Sequence, residues 1–479
     1  MNQPAAQRFA PLPAALRTRR VPAWFGGAKL GIFIHWGLYS VPGWAPLPDA
    51  RVLKANVGGS NSHLSADDQR YCLSHNPYAE WYLNTLKFEE GPTRGYHQRT
   101  FGADFPYESF VPLFNEASRA WDPGSWADLF RDAGARYVVI TAKHHDGFLL
   151  WPSRKPCPRR KGYTAERDAV GELTEAVRGR GMKMGLYYSG GLDWAFNAAR
   201  IESFPMIFGT VIQEPEFAAY ADAHWRELID RYAPSVLWND IGYPRSADLY
   251  GLLEHYYERV PDGAVNDRFR TAIVDGRSRA PYFDYVTPEY ATFPDITPTK
   301  WEACRGIGYS FGYNRNDDDR SYLSSTDLIR LLVDIVSKNG NLFLDVGPEA
   351  SGAIPAAQRE RLLALGRWLA RNGAAVYDTT PWIRAEGITD GGLPVRFTKK
   401  NDAVYAILMG DPRVGRLTIR DFAPAEPLRG VSLLGRPGAL PWRAETGGLT
   451  VEWPEGVPPS AAHVLEFASA ERGAGKDQS

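Results

Sequence analysis

Short apolar runs that end abruptly in polar residues recur along the first three quarters of the chain. The run at 137–142 is rich in β-branched residues, and Lys143, His144, His145 and Asp146 follow it at once. Comparable runs lie at 30–34, 184–189, 235–238, 285–288 and 341–344. Runs of this length, bounded by polar residues, are typical of strands buried in a parallel sheet.

Amphipathic segments with helical spacing separate these runs, at 126–133, 170–180, 217–232, 325–338 and 356–371. Alternating strands and helices predict βα units around a parallel sheet. The polar residues fall repeatedly just after a strand, which is the pattern of an α/β barrel whose site lies at the carboxyl ends of its strands. We assign residues 1–378 to this barrel.

The pattern changes after residue 381, where short alternating runs are separated by turn residues. Runs at 395–398, 403–408, 416–419, 431–434, 449–452 and 463–467 predict an antiparallel β-sandwich, assigned to residues 379–479. The stretch 45–76 holds clusters of Pro, Gly, Asn and Ser, and it predicts a long loop over the mouth of the barrel.

Charge and composition exclude several classes of partner. The net charge of −1 provides no electrostatic footprint for nucleic acid or for an anionic membrane, and no apolar run is long enough for a transmembrane helix. The three cysteines support neither a disulfide framework nor a zinc site. The first 23 residues lack the apolar core of a secretory signal, so a cytoplasmic location is expected.

Aromatic residues accompany the polar strand ends. The chain has 15 Trp and 24 Tyr, and several of them, including Trp36, Trp81, Tyr187 and Trp238, lie beside these ends. Aromatic faces next to convergent polar groups suit a ligand with apolar C–H faces and many hydroxyls. The composition therefore favours a sugar as the small-molecule ligand.

Three carboxylates are candidates for chemistry on such a ligand. Asp240 and Glu289 follow strands, and Glu80 lies in the stretch Tyr78–Tyr82. Two carboxyl groups facing one cavity fit glycoside hydrolysis, in which one attacks the anomeric carbon and the other protonates the leaving oxygen.

A metal-dependent hydrolase is the alternative chemistry. His35, His144 and His145 could bind zinc together with Asp146 or Asp240. Neighbouring histidines on an extended strand point to opposite sides, however, and no metal-binding spacing is present. We expect neither a metal nor a cofactor.

Six motifs in order along the chain resemble the α-L-fucosidases of glycoside hydrolase family 29. They are Gly31–Ser40, Glu80–Tyr82, Lys143–Phe148, Gly185–Ser189, Leu237–Asp240 and Asn341–Pro348. The resemblance implies a (β/α)8-like (TIM-type) barrel and an exo-acting, retaining enzyme that removes terminal α-L-fucosyl groups without a cofactor. Homo-oligomers are common among the members of this family.

The resemblance also implies roles for individual residues. Asp240 matches the nucleophile, Glu289 the acid/base, and Glu80 is the competing acid/base. The residues that match sugar contacts are His35, Trp81, His144, His145, Tyr187, Trp238 and Arg268, while Phe33 and Phe311 match aromatics that enclose the C5 methyl of fucose.

Two stretches depart from the family's pattern. Residues 165–168 read Ala-Glu-Arg-Asp where Pro-Lys-Arg-Asp is usual, and Asp345 stands where the late strand commonly has Asn. The sequence does not place the Asp345 carboxylate at the floor or at the mouth of the barrel. A non-catalytic fucose-binding protein on the same barrel remains the second interpretation.

Overall fold

The computed structural model describes residues 11–56, 64–274, 277–413, 415–424 and 427–469. Its strands are β1 Leu30–Ile34, β2 Tyr137–Lys143, β3 Lys183–Ser189, β4 Val236–Asp240, β5 Ala264–Val265, β6 Ala272–Val274, β7 Arg277–Arg279, β8 Trp301–Gly306, β9 Gly340–Val346, β10 Thr380–Ile388, β11 Pro394–Lys400, β12 Ala403–Leu408, β13 Gly415–Arg420, β14 Leu428–Leu433, β15 Trp442–Glu445, β16 Gly448–Trp453 and β17 His463–Ser469.

The α-helices pack mostly outside the parallel strands. They are α1 Ala14–Arg17, α2 Ala23–Ala28, α3 Ala50–Asn56, α4 Ala66–Ser74, α5 Tyr82–Thr85, α6 Pro92–Phe101, α7 Phe110–Ser118, α8 Pro123–Asp132, α9 Ala169–Gly179, α10 Phe204–Gly209, α11 Pro215–Tyr232, α12 Leu249–Arg259, α13 Ser325–Ser337 and α14 Ala356–Asn372. Side-chain caps start several of them. Asp168, in the stretch that departs from the family pattern, accepts a hydrogen bond from Gly171 N at 2.9 Å and so caps α9.

Seven parallel strands form one curled sheet in the order β5-β4-β3-β2-β1-β9-β8, which confirms the predicted α/β fold. The eighth side of the barrel is the segment 285–289, which forms isolated parallel bridges to both of its neighbours. Tyr285 bridges to Asn266 after β5, and Val286 bridges to Trp301 of β8. The sequence predicted a strand here, but Pro288 has no N–H to donate to a continuous ladder.

Aromatic side chains fill the inside of the barrel. Phe33 stacks on Phe343 with ring centroids 4.4 Å apart, and Tyr187 stacks on Trp238 at 5.4 Å. All four side chains are almost completely buried. The barrel interior is therefore a packed core.

The C-terminal region is a pair of antiparallel sheets, as predicted. One has the order β10-β11-β12-β17-β14 and the other β13-β16-β15, and apolar side chains such as Phe397 and Val451 lie buried between them. Strands β10 and β15 were not predicted. All four residues of β15 are exposed, so it shows no alternation of apolar and polar residues. Contacts to the barrel include the Trp368 indole, which donates to Ala462 O at 2.9 Å.

The predicted long loop at 45–76 is wrong, because helices α3 and α4 occupy 16 of its 25 described residues. Ser65 caps α4 by accepting from Asp68 N at 3.0 Å, and Asp49 accepts from Val52 N at 2.9 Å at the start of α3. These short-range caps stabilise helices whose sequence is rich in polar residues. Residues 57–63, which include the glycine pair of this stretch, lie outside the described residues.

Three further expectations concern the whole chain. Cys72, Cys157 and Cys304 are free thiols. Among the described residues, no helix combines the length and the apolar character that crossing a bilayer requires. Residues 1–10, on which the expected cytoplasmic location partly depends, lie outside the described residues.

Candidate active site

A cavity of about 530 Å³ opens at the carboxyl ends of the barrel strands. Every residue that the sequence analysis assigned to catalysis or sugar contact lines it: Phe33, His35, Glu80, Trp81, His144, His145, Tyr187, Trp238, Asp240, Arg268, Glu289 and Phe311. Asp146, the alternative metal ligand, is not part of this lining and instead accepts a hydrogen bond from the buried Tyr107 hydroxyl at 2.9 Å. The barrel brings them together because the carboxyl ends of parallel strands meet at one edge.

Asp240 ends β4 and is 7% exposed. Its Oδ2 accepts a hydrogen bond from the Tyr187 hydroxyl at 2.9 Å, and its Oδ1 accepts one from Arg268 Nη1 at 2.9 Å. The Nε2 atom of His145 lies 3.9 Å from Oδ2. A hydroxyl and a guanidinium thus hold both oxygens of this side chain in a fixed orientation at the end of β4.

Arg268 joins the two strand-end carboxylates. Its Nη2 donates to Glu289 Oε2 at 3.2 Å, while its Nε and Nη2 also donate to the side chain and the carbonyl of Thr287. Burial opposes the charge, but the carboxylates of Asp240 and Glu289 outweigh burial and raise the pKa of Arg268 above its ordinary value. The guanidinium is therefore a fixed cation between two acidic groups.

Glu289 lies at the mouth of the cavity, on the irregular eighth side of the barrel. Its side chain is 36% exposed, and its Oε1 accepts from the Tyr78 hydroxyl at 3.4 Å. A carboxyl group in this position can exchange protons with solvent while it faces the cavity, which general acid/base catalysis requires at each turnover.

Glu80 has a very different environment. It is 2% exposed, and its Oε2 accepts from Gly312 N at 2.8 Å. Burial raises the pKa of Glu80 to about 8, so this carboxyl is protonated at neutral pH. It can therefore donate a hydrogen bond to a ligand in the cavity.

His35 follows β1 and pairs with Asp345 of β9. Its Nδ1 lies 2.7 Å from Asp345 Oδ1, and both residues are buried. Asp345, whose place the sequence left open, is thus at the mouth of the barrel beside the cavity. The Asp345 Oδ2 atom is buried and has no hydrogen-bond partner among the described residues.

His144 and His145 both line the cavity, with ring centroids 4.0 Å apart. The expectation that they point to opposite sides is wrong, because β2 ends at Lys143 and the chain turns before Gly147. Gly147 has φ +82°, and a Cβ there would lie 2.4 Å from Asp193 Oδ1, so only glycine fits this turn.

The proton positions on His145 follow from its neighbours. Burial lowers the pKa of His145 well below its ordinary value, so the ring is neutral. Ser189 donates its hydroxyl proton to Leu192 O at 2.7 Å and must accept from His145 Nδ1, also at 2.7 Å. The Nε2 of His145 is consequently an acceptor that faces the cavity near Asp240.

Asp240 and Glu289 are each followed by a non-glycine residue with left-handed backbone. Ile241, after Asp240, has φ +59°, and Tyr290, after Glu289, has φ +48°. For a β-branched residue such as Ile241 this conformation is a strained outlier, of a kind that clusters at functional sites. The Tyr290 hydroxyl, which donates to Tyr309 O at 2.8 Å, holds the second of these turns.

The cavity has two different halves. Polar groups of His35, His144, His145 and Asp240 face its inner half. The outer half includes a wall of apolar side chains from α3, α4 and α10: Val52, Leu53, Leu73, Phe204, Ile207 and Phe208. The inner half therefore suits a hydroxylated ring, and the outer half suits an apolar group attached to it.

Sequence reasoning missed several supporting residues. Thr287 and Tyr78 orient Arg268 and Glu289, and Glu302 accepts from the Trp238 indole at 2.9 Å inside the barrel. Thr287 lies two residues before Glu289, which is the spacing of same-side neighbours on an extended segment, whereas Tyr78 is distant in sequence from the carboxylate that it contacts. Among the described residues, no group of three or more His, Cys, Asp or Glu side chains is arranged to hold a metal ion.

Comparison with known proteins identifies relatives over nearly the whole chain. The family model described as Alpha-L-fucosidase matches residues 1–374. The chain is 31% identical to the alpha-L-fucosidase of Dictyostelium discoideum, and the match covers 98% of this chain and 97% of that protein.

Solved structures show the same similarity. The crystal structure of Thermotoga maritima alpha-fucosidase with a mechanism-based inhibitor is 40% identical, with a TM-score of 0.83, and the match covers 96% of this chain and 100% of that one. A Bacteroides thetaiotaomicron alpha-L-fucosidase of family GH29, trapped as a covalent intermediate, is 25% identical with a TM-score of 0.68, covering 94% and 96% of the two chains.

Proposed function

Because this chain belongs to the α-L-fucosidase family, and is therefore a glycoside hydrolase, we propose that it removes terminal α-L-fucosyl groups by a retaining double displacement. Asp240 attacks the anomeric carbon and forms a covalent glycosyl-enzyme, and Glu289 protonates the leaving oxygen. Glu289 then acts as a base on the water that releases fucose.

The observation that carries this proposal is the Arg268 guanidinium shared by Asp240 and Glu289. It brings the two carboxyl groups to neighbouring nitrogens of a single side chain, in keeping with the separation of about 5 Å in retaining enzymes. The trapped covalent intermediate of the similar Bacteroides enzyme supports the same route.

Glu289 suits the acid/base role better than Glu80 because the role requires a proton to leave and return in each cycle. Glu289 is partly exposed at the mouth, whereas Glu80 is buried at 2% exposure. Glu80 instead supplies a protonated carboxyl as a hydrogen-bond donor to a sugar hydroxyl. A donor of this kind contributes to binding and to the orientation of the ring.

The aromatic side chains suit a 6-deoxy sugar. Phe33 and Phe311 line the inner half of the cavity with ring centroids 6.4 Å apart, and His35 lies within 5.1 Å of the Phe311 ring. An apolar wall beside polar nitrogens favours a sugar that carries a methyl group next to its hydroxyls.

The first experiment measures 4-nitrophenol release from 4-nitrophenyl α-L-fucoside, with the matching β-D-galactoside as control and EDTA in excess. We expect release from the fucoside alone. Activity that EDTA abolishes and zinc restores would instead favour the metal-dependent alternative. Release from neither substrate would contradict the proposed activity on simple fucosides.

Azide rescue separates the roles of the carboxylates. Asp240→Gly with azide should give β-fucosyl azide, because azide attacks from the side that the nucleophile vacates. Glu289→Ala should give α-fucosyl azide from an activated fucoside, because azide then attacks the covalent intermediate. If Glu80→Ala forms the α-azide and Glu289→Ala does not, the acid/base is Glu80.

A further inference from the structure

His35 and Asp345 lie on neighbouring strands and face the same interior. Strand β1 pairs with β9 in parallel register, with Phe33 opposite Asp345, and His35 N donates to Val346 O at 3.2 Å. This register brings His35 Nδ1 to 2.7 Å from Asp345 Oδ1. The other ring nitrogen, Nε2, has no partner among the described residues, and the ring lines the cavity.

The position of the proton between these two atoms decides whether His35 Nε2 is a hydrogen-bond donor or an acceptor toward a ligand. When the carboxyl oxygen carries it, the oxygen donates to Nδ1, and the neutral ring bears its own hydrogen on Nε2. When the carboxylate is ionised and the ring is neutral, Nδ1 must donate to it, and Nε2 becomes an acceptor. An asparagine at position 345 carries no proton that titrates in this range.

We propose that His35 and Asp345 form a proton-sharing pair that presents the His35 Nε2–H to a sugar hydroxyl oxygen, which makes Asp345 a positioning residue of the site. The inference rests on the proposed function only for the choice of fucose as the ligand.

Burial of the pair supports this arrangement. His35 is 4% exposed and Asp345 is 1% exposed. Burial lowers the pKa of His35 and raises the pKa of Asp345, and nearby Glu80 raises the latter further. Both shifts favour the uncharged pair, with the shared proton on Asp345 and the second proton on Nε2.

Other titratable groups also face the pair, so the test must separate their contributions. His144 and Arg268 oppose a positive charge on His35, and Asp240 favours it. The remaining groups around the pair are Tyr39, Glu80, Tyr187 and Cys304. Of these, Glu80 also loses a proton near pH 8, so pH dependence of the wild-type protein alone cannot identify the pair.

The proton position can be read directly by NMR. The chain has nine histidines, and the full-length protein labelled with ¹⁵N in its imidazole rings can be assigned at position 35 with a His35→Gln variant. We expect a hydrogen coupled to Nε2 of His35 in the wild-type protein at neutral pH. A bare Nε2 in a neutral ring would overturn the proposal without any need for an Asp345 variant.

Fucose binding supplies the second test. Calorimetry of the wild-type protein should show Kd rising by about tenfold per pH unit once the pair loses its proton, because binding requires that proton. In Asp345→Asn this part of the pH dependence should be absent. The matched control is Asp284→Asn, which removes a carboxylate that accepts from Tyr257 and Tyr282 away from the cavity.

The results that would overturn the role of Asp345 differ from those that would overturn the proposed function. An Asp345→Asn variant that keeps the wild-type slope of Kd against pH would overturn the proton-sharing role. Fucose binding with the expected proton linkage, but without hydrolysis of any fucoside, would contradict the proposed activity and leave the role of Asp345 intact. Thermal unfolding of each variant shows whether it is folded, and the NMR measurement stands if Asp345→Asn is not.

Discussion

The Arg268 guanidinium donates one hydrogen bond to Asp240 and another to Glu289, at 2.9 and 3.2 Å. We expect Arg268→Lys to lower kcat/KM for an aryl fucoside by roughly a hundredfold, because one ammonium group cannot bridge two carboxylates in this geometry. Steady-state kinetics at neutral pH measure the loss.

The matched control for this substitution is Arg180→Lys. Arg180 also makes two hydrogen bonds to a carboxylate, that of Asp128, but on the helical exterior. It should keep the wild-type kcat/KM. An Arg268→Lys enzyme with wild-type kinetics would show that the shared guanidinium is not part of the catalytic machinery.

The raised pKa of Glu80 makes stability depend on pH. The pKa of Glu80 is about 8 in the folded protein and 4.5 ordinarily, so between these values the unfolded chain binds fewer protons at this site. The contribution of Glu80 to the free energy of unfolding is therefore fully present below about pH 4.5 and is lost as the pH rises through about 8. Glu80→Gln should remove on the order of a few kcal/mol of this pH dependence.

Urea unfolding at a series of pH values checks this prediction. Glu254→Gln, at an exposed position of α12, is the control and should leave the pH dependence unchanged. A Glu80→Gln protein whose unfolding free energy falls with pH as steeply as that of the wild type would mean that Glu80 is already ionised in the folded state.

The apolar outer wall of the cavity should recognise the leaving group. Phe208 is 38% exposed in this wall, and Phe208→Ala should raise KM for an aryl fucoside with little change in kcat, since the contact is the same in the ground and transition states. Phe283, at 40% exposure and outside the cavity lining, supplies the control Phe283→Ala. Equal KM values for the two variants would exclude a role for the wall.

A buried ion pair includes Lys143, which directly precedes His144 and His145 in the chain. Lys143 and Asp193 are completely buried, with Nζ and Oδ2 2.9 Å apart. Lys143→Met should cost about 3–5 kcal/mol of unfolding free energy, because it leaves the Asp193 carboxylate buried without its cation. Lys183→Met, which breaks an exposed pair with Asp262, should cost less than about 1 kcal/mol.

Denaturant titration measures the unfolding free energies of the Lys143→Met and Lys183→Met variants. Adding Asp193→Leu to the Lys143→Met protein should recover part of the lost stability, because no unpaired charge then remains. If the double variant is less stable than Lys143→Met, the pair contributes through packing rather than through charge compensation.

The sequence was sufficient to predict where strands end and which residues meet there. His35, His144 and Asp240 follow apolar runs, and a parallel sheet brings such residues to one edge regardless of the details of packing. The antiparallel C-terminal region agrees with the alternation of apolar and polar residues, but strands β5 and β8 of the seven-stranded sheet were not predicted.

Features that depend on contacts distant in sequence could not be predicted. The pairing of His35 with Asp345 spans 310 residues and depends on the register of β1 against β9. The geometry of Arg268 depends on Thr287, on a segment that is not a regular strand. Helices α3 and α4 were missed for a different reason: their start caps, from Asp49 to Val52 and from Ser65 to Asp68, are local in sequence, but the Pro, Gly, Asn and Ser clusters around them favoured a loop.

Asp240 and Glu289 are held in place by different parts of the barrel, because only Asp240 lies on a regular strand. Asp240 is held by the ladder between β3 and β4, where Ser189 is its partner, so its direction is tied to the sheet. Glu289 sits beyond Pro288 on a segment with only single bridges to its neighbours. A change of length in this segment would therefore move the proposed proton donor, Glu289, more readily than the proposed nucleophile, Asp240, whose strand is paired along its length.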